Sequence, residues 1–244
     1  MYDGWRGTFY PAGLPKSRWF GHYATQFDTV ELNGTFYRLP SVASVERWAA
    51  AAPPGFVFSL KLGAFGSHRK KLRDAASWLP RHVETFRPLG GALGPNVVQL
   101  PPRWRRNVER LDEMLAVART CAPATRWAVE LRDASWLHDD VFEVLHRHTV
   151  ALVVHDLLAD HPFEMTTDWT YVRFHGPDAL RRPYTGGYGE RRLRPWVARL
   201  APIAANGLDV FAYFNNDIAG HAVADARLFR DALTAAVESA PRRL

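Results

Sequence analysis

Along the stretch FDTVELNGTFYRLP (27–40), Val30 and Leu32 alternate with Thr29, Glu31, Asn33, Thr35 and Tyr37. A period of two predicts a strand. The polar set consists of a carboxylate, an amide and hydroxyls rather than generic surface charge. That suits a strand whose aliphatic face lies under helices while its other face lines an enclosed polar space. Gly34 breaks the strand and Pro40 closes it.

The same reading continues down the chain. Helical spacing or stop signals predict helices over 42–52, 69–87, 108–120, 135–148 (with Ser135 as N-cap), 190–205 and 220–239. Pro195 and Pro202 put the length of the 190–205 helix in question. Short apolar runs predict strands at FVFSLKL (56–62), VVQLPP (97–102), WAVELRD (127–133), ALVVHDL (151–157), TYVRFHG (170–176) and DVFAYFNND (209–217). Strand and helix alternate without a linker, and the strands are rich in Val, Leu and Phe, which indicates a parallel sheet buried on both faces. Seven β/α units over 244 residues predict a single (β/α)₈ TIM-barrel domain spanning 1–244 that lacks one strand. The missing strand would lie before residue 27, where MYDGWRGTFYP is a poor candidate. An open doubly wound sheet is the alternative; no Gly-rich dinucleotide fingerprint follows any strand.

Polar residues recur in phase on these strands. Glu31 with Asn33, Ser59 with Lys61, Glu130 with Arg132, Arg173 with His175, and Tyr213 with Asn215 and Asp217 each share a face, and Gln99 stands alone in VVQL. His155 and Asp156 fall on opposite faces, so only one of them is expected to point inward. Most of these residues sit late in their strands, and barrel active sites lie at the carboxyl ends. Burying Glu, Arg, Lys and His is costly unless they pair or meet a ligand.

Composition adds sign to this picture. The net charge is +6, and Arg supplies nearly all of the positive charge; its planar fork suits phosphate and carboxylate. Basic clusters follow three strands: 68–71, Arg103 with Arg105 and Arg106, and Arg181 with Arg182. Together they point to an anionic partner, a small molecule or a nucleic acid. The Gly-containing segment 177–190 reads as a lid over the site. Cys121 is the only cysteine, so no intrachain disulfide forms. No signal region or spanning stretch is visible, which makes a cytoplasmic protein without a membrane partner the expectation. The sequence names no cofactor and no oligomeric state.

The motifs WRGTFYP (5–11), FDTVELNGTFYRLP (27–40), the Lys61 and His68 region, QLPP (99–102), AVELRDASW (128–136), YVRFHG (171–176) and YFNND (213–217) resemble, in order and over essentially the whole chain, the YecE-like domain-of-unknown-function family, number seventy-two. The resemblance implies a TIM barrel and no established activity. Likeness to barrels of the endonuclease IV and xylose isomerase type suggests DNA binding by analogy. Family members begin with a strand resembling IGTSGW, whereas this chain opens inside the motif that follows it. A start assigned too late would account for the difference.

The expected function is an enzyme acting on an anionic, phosphorylated or nucleic-acid substrate by general acid/base chemistry. Glu31 or Glu130 would be the base and His175 the acid. Lys61, Arg132 and Arg173 would hold the anion, with Asn33, Tyr37, His68, Gln99, Asn215 and Asp217 completing the substrate site. The alternatives are a metal-dependent hydrolase or isomerase drawing on Glu31, Glu130, His155 or Asp156, His175 and Asp217, and a non-catalytic nucleic-acid binder that stacks bases on Trp104 and Tyr184.

Overall fold

A computed structural model describes residues 2–239. Seven strands form one parallel sheet in chain order: β1 (Thr29–Leu32), β2 (Val57–Lys61), β3 (Leu93–Gln99), β4 (Trp127–Glu130), β5 (Ala151–His155), β6 (Thr170–Phe174) and β7 (Val210–Phe214). The helices are α1 (Trp19–Ala24), α2 (Gly34–Tyr37), α3 (Val42–Ala51), α4 (Ala75–Phe86), α5 (Val108–Cys121), α6 (Asp139–His148), α7 (Gly189–Ala205) and α8 (His221–Glu238). An all-parallel sheet needs a crossover after each strand, and helices supply most of them. The fold is α/β, a TIM-like barrel with seven strands among the described residues instead of eight. The strand absent in the sequence reading is absent here too. Residues 2–28 hold short helical turns and one isolated bridge, between Arg6 and Tyr10.

The chain divides into two compact units, Met1–Lys16 with Val153–Leu244, and Ser17–Leu152. In the second unit, one core gathers Val98, Val129 and Leu152 from the strands with Leu79, Leu111, Leu115 and Leu145 from α4, α5 and α6. A further core sets Val45 of α3 and Phe58 and Leu60 of β2 together with Val30 and Leu32. In the first unit, Val154, Val172 and Phe174 pack with Leu193, Val197 and Phe229 of α7 and α8. The aliphatic phase of each strand therefore faces helices, as its period predicted. The opposite phase carries polar side chains: Glu31 lies beside Ser59, Gln99 beside Glu130, and His155 beside Arg173.

Several elements differ from the sequence reading. The opening strand ends at Leu32. The Thr35 hydroxyl oxygen sits 2.6 Å from the carbonyl of Leu32 and 2.7 Å from that of Lys61, and the chain turns into α2 there. Tyr37 consequently leaves the face it was expected to share with Glu31 and is 84 % exposed. The second predicted helix starts only at Ala75, after a π-helical turn over Phe65–Arg69. Ser135 does not cap α6. That role falls to His138, while Ser135 bonds Asp133 and receives the N–H of Arg106. Helix α7 runs through both prolines, packed along α8. In β3, Pro95 has no N–H to give the ladder. The β2–β3 register shifts beside it, and the Ser59 hydroxyl donates to its carbonyl at 2.9 Å.

Candidate functional site

Polar side chains gather in two places, one in each unit. The first lies at the carboxyl ends of β2, β3 and β4. Arg132, just past β4, donates its Nε–H to the carboxylate of Glu130 and its Nη2–H to Oε1 of Gln99 at 3.2 Å. Glu130 is wholly buried and the Arg132 side chain is 11 % exposed. Lys61 closes β2, with its ammonium 4.3 Å from the centre of the Phe36 ring. His68 also meets that ring, edge to face at 4.9 Å.

The π-helical turn that carries His68 owes its shape to Gly66. A Cβ there would meet the ring of Trp78 at 2.5 Å. Ser67 Oγ lies 3.0 Å from Nδ1 of His68. Burial holds the pKa of His68 below the ordinary imidazole value, and the positive charges of Lys61 and Arg132 push in the same direction. At neutral pH the His68 imidazole is thus uncharged beside the cations of Lys61 and Arg132.

The second group follows β5 and β6. Asp156 accepts the backbone N–H of His175 at 3.0 Å and faces its Nδ1 at 3.0 Å. His175 is fully buried. A carboxylate on Nδ1 selects the Nδ1–H tautomer and leaves Nε2 as the basic nitrogen. His155 stands with its ring 6.0 Å from that of His175 and 4.4 Å from that of His161. The expectation that only one of His155 and Asp156 points inward is corrected. The strand ends at His155, so the period of two no longer governs Asp156, and both residues approach His175.

Tyr188 completes this group. Its hydroxyl donates to the other oxygen of Asp156 and accepts the N–H of Gly176 at 2.7 Å. Burial and the Asp156 charge push its pKa above the ordinary phenol value. Sequence periodicity could not find it, because it lies in the aperiodic segment read as a lid. Asp225 was missed likewise: it sits on α8 and takes the N–H groups of Tyr188 and Gly189, a carboxylate at the start of α7.

The remaining candidates are placed as follows. Glu31 and Asn33 are half-buried at the end of β1 and just past it. Arg173 is buried in β6. The N–H of Asn215 extends the β6–β7 ladder at 2.7 Å, and Asp217 precedes a short turn. Tyr37 is exposed, with its ring edge to face on that of Phe36 at 5.2 Å. Trp104 is buried against Trp136 and cannot stack on a base. Of the basic clusters, Arg106 is bound to Asp140 and Lys70 to Asp74, while Arg69, Arg103, Arg105, Arg181 and Arg182 are exposed. Among the described residues no group of three or more His, Cys, Asp or Glu side chains has metal-binding geometry. None of their helices is long and apolar enough to cross a membrane.

The model of "Protein of unknown function DUF72" matches residues 1–243. The chain belongs to the DUF72 family. The UPF0759 protein YunF of Bacillus subtilis is 25% identical, over 99% of this chain and 96% of its own length. A crystal structure of a DUF72 family protein from Thermotoga maritima superposes with a TM-score of 0.80 at 26% identity, covering 96% of this chain and 95% of that one. Another, from Enterococcus faecalis, shares the fold at 21% identity and a TM-score of 0.74, covering 89% of this chain and 94% of that one. DUF72 membership bears out the resemblance carried by the sequence motifs and the TIM-like fold it implied; it brings no substrate with it.

Proposed function

We propose that this DUF72 protein is an enzyme acting on an anionic substrate by general acid/base chemistry. The observation that carries the reading is the convergence of Lys61, His68 and Arg132 at the carboxyl ends of neighbouring strands, with Arg132 bound to the buried Glu130. A protein that needed only stability would gain little from such a set, since taking charges out of water costs about as much as their pairing returns. In this reading Lys61 and Arg132 hold the anion, Gln99 and Glu130 fix the guanidinium plane, and Glu31 and Asn33 orient the rest of the substrate. Glu130, whose carboxylate is engaged by Arg132, serves the site by orientation rather than as its base. In the other unit His175, polarised by Asp156, forms an acid/base group of its own, with Arg173 on β6 and Asn215 and Asp217 just past β7.

The test is a salt-dependent titration by NMR with inorganic phosphate, a mononucleotide, and single- and double-stranded oligonucleotides. Binding should perturb Lys61, His68 and Arg132, and Lys61→Ala should weaken it about tenfold or more, the worth of one charge-assisted hydrogen bond. A steep linear fall of log affinity with log salt for oligonucleotides alone would assign a nucleic-acid substrate. If nothing binds at low salt, or if Lys61→Ala binds as well as the parent, the reading fails.

A further inference from the structure

We infer that Tyr188 is a positioning residue that fixes the Asp156–His175 pair. The inference rests on reading that pair as the acid/base group. A phenol has one proton. Because Tyr188 Oη accepts the N–H of Gly176 at 2.7 Å, its proton is directed at the carboxylate of Asp156. Asp156 then has each oxygen committed: one to Nδ1 of His175, the other to Tyr188, with the His175 backbone N–H shared at 3.0 and 3.1 Å. The carboxylate cannot rotate without breaking bonds on both sides.

Tyr188 is itself held. Its backbone N–H donates to both oxygens of Asp225 at 3.0 and 3.1 Å, and Asn216 donates to Asp225 at 2.7 Å and to the Gly186 carbonyl at 2.8 Å. Its ring packs on Phe174 at 5.4 Å. A cavity of about 550 Å³, lined in part by Asp156, Tyr188, Arg192 and Trp196, lies alongside. Tyr188 thereby does two things: it sets the carboxylate plane, and it moderates how much negative charge His175 feels.

The experiment is the NMR titration of the His175 imidazole in the whole protein and in Tyr188→Phe. The groups around that imidazole are Asp156 and His155 from β5 and its end, Tyr184 and Tyr188 from the following loop, and Arg173 two residues earlier in β6. Loss of the hydroxyl leaves more charge on Asp156 for the imidazolium, so the His175 midpoint should rise by roughly half to one unit. A Tyr188→Phe curve superimposed on the parent's, with only the melting temperature lowered, would reduce Tyr188 to packing and overturn the inference. Should the variant fail to fold, the chemical shift of the Tyr188 ζ carbon in the parent protein replaces it. It should follow the His175 midpoint if the three groups act as one, and a flat trace overturns the inference. His175→Gln separates the two ideas. If that variant turns over substrate normally, the acid/base reading fails, while the titration still reports whether Tyr188 sets the pair.

Discussion

Arg132 donates its Nε–H to the carboxylate of Glu130, two residues before it in the chain. Strand β4 ends at Glu130, and the chain beyond it lets the guanidinium fold back and also reach Gln99 on β3. The two partners are unequally buried, and that asymmetry makes a prediction. Arg132→Ala takes the guanidinium away from a wholly buried carboxylate, so it should cost about 3 kcal/mol or more of stability. Glu130→Gln leaves Arg132 with an amide oxygen, its bond to Gln99 and some solvent, so it should cost less. Urea unfolding of the two variants should rank them in that order; equal losses would show that Glu130 is not the sensitive partner.

Lys61 and His68 flank the same Phe36 ring. Since burial, Lys61 and Arg132 all lower the His68 pKa, removing the ammonium should raise it. Lys61→Ala should move the His68 titration midpoint up, toward the ordinary imidazole value, and adding phosphate to the parent protein should move it the same way. Proton NMR of the imidazole checks both. A midpoint indifferent to either would mean that the cations do not act on His68.

The alternation of Val30 and Leu32 with Glu31 was enough to assign one face of β1 to the apolar core and the other to polar side chains. In-phase placement of Lys61, Gln99, Glu130 and Arg173 followed by the same rule, because a parallel strand buried on both sides repeats with period two. The rule stops where the strand stops. Tyr37 was carried two residues too far because the turn at Thr35 depends on a carbonyl of β2, a long-range contact. Asp156 reaches His175 from just beyond β5, and Tyr188 arrives from a loop whose shape depends on Gly176 and Asp225. Nothing local in the sequence encodes those meetings.

His82 offers a prediction about acid stability. It is buried on α4 with Nε2 at 2.8 Å from Oδ1 of Asn96. Burial lowers its pKa from 6.5 to about 4, which the bond to Asn96 only partly opposes. The unfolded chain therefore binds the proton more readily than the native one. This contribution to stability is complete above pH 6.5 and declines as the pH falls toward 4. It amounts to about 3 kcal/mol over that window. Urea midpoints measured from pH 7 to pH 4.5 should fall more steeply for the parent protein than for His82→Gln, which has no proton to take up. Parallel slopes would show that His82 does not drive the acid transition.

Gly176 tests how the segment after β6 is held. Its φ of +122° lies where only glycine is comfortable, and a Cβ would meet the carbonyl oxygen of Thr185 at 2.6 Å. The neighbouring backbone is fixed by the Tyr184 N–H on the His175 carbonyl and by the Gly176 N–H on Tyr188. The added carbon cannot be relieved by a side-chain rotation, because the obstacle is main chain. Gly176→Ala should therefore cost about 1–3 kcal/mol, expressed locally as an opening of the 177–187 segment rather than as general loosening. Limited proteolysis should cut there first, and hydrogen exchange should rise at Gly176 and Tyr188 before it rises in β5 or β6. Uniform destabilisation, with no preferential cleavage in the loop, would mean that the close approach of Gly176 to Thr185 is not what holds the segment in place.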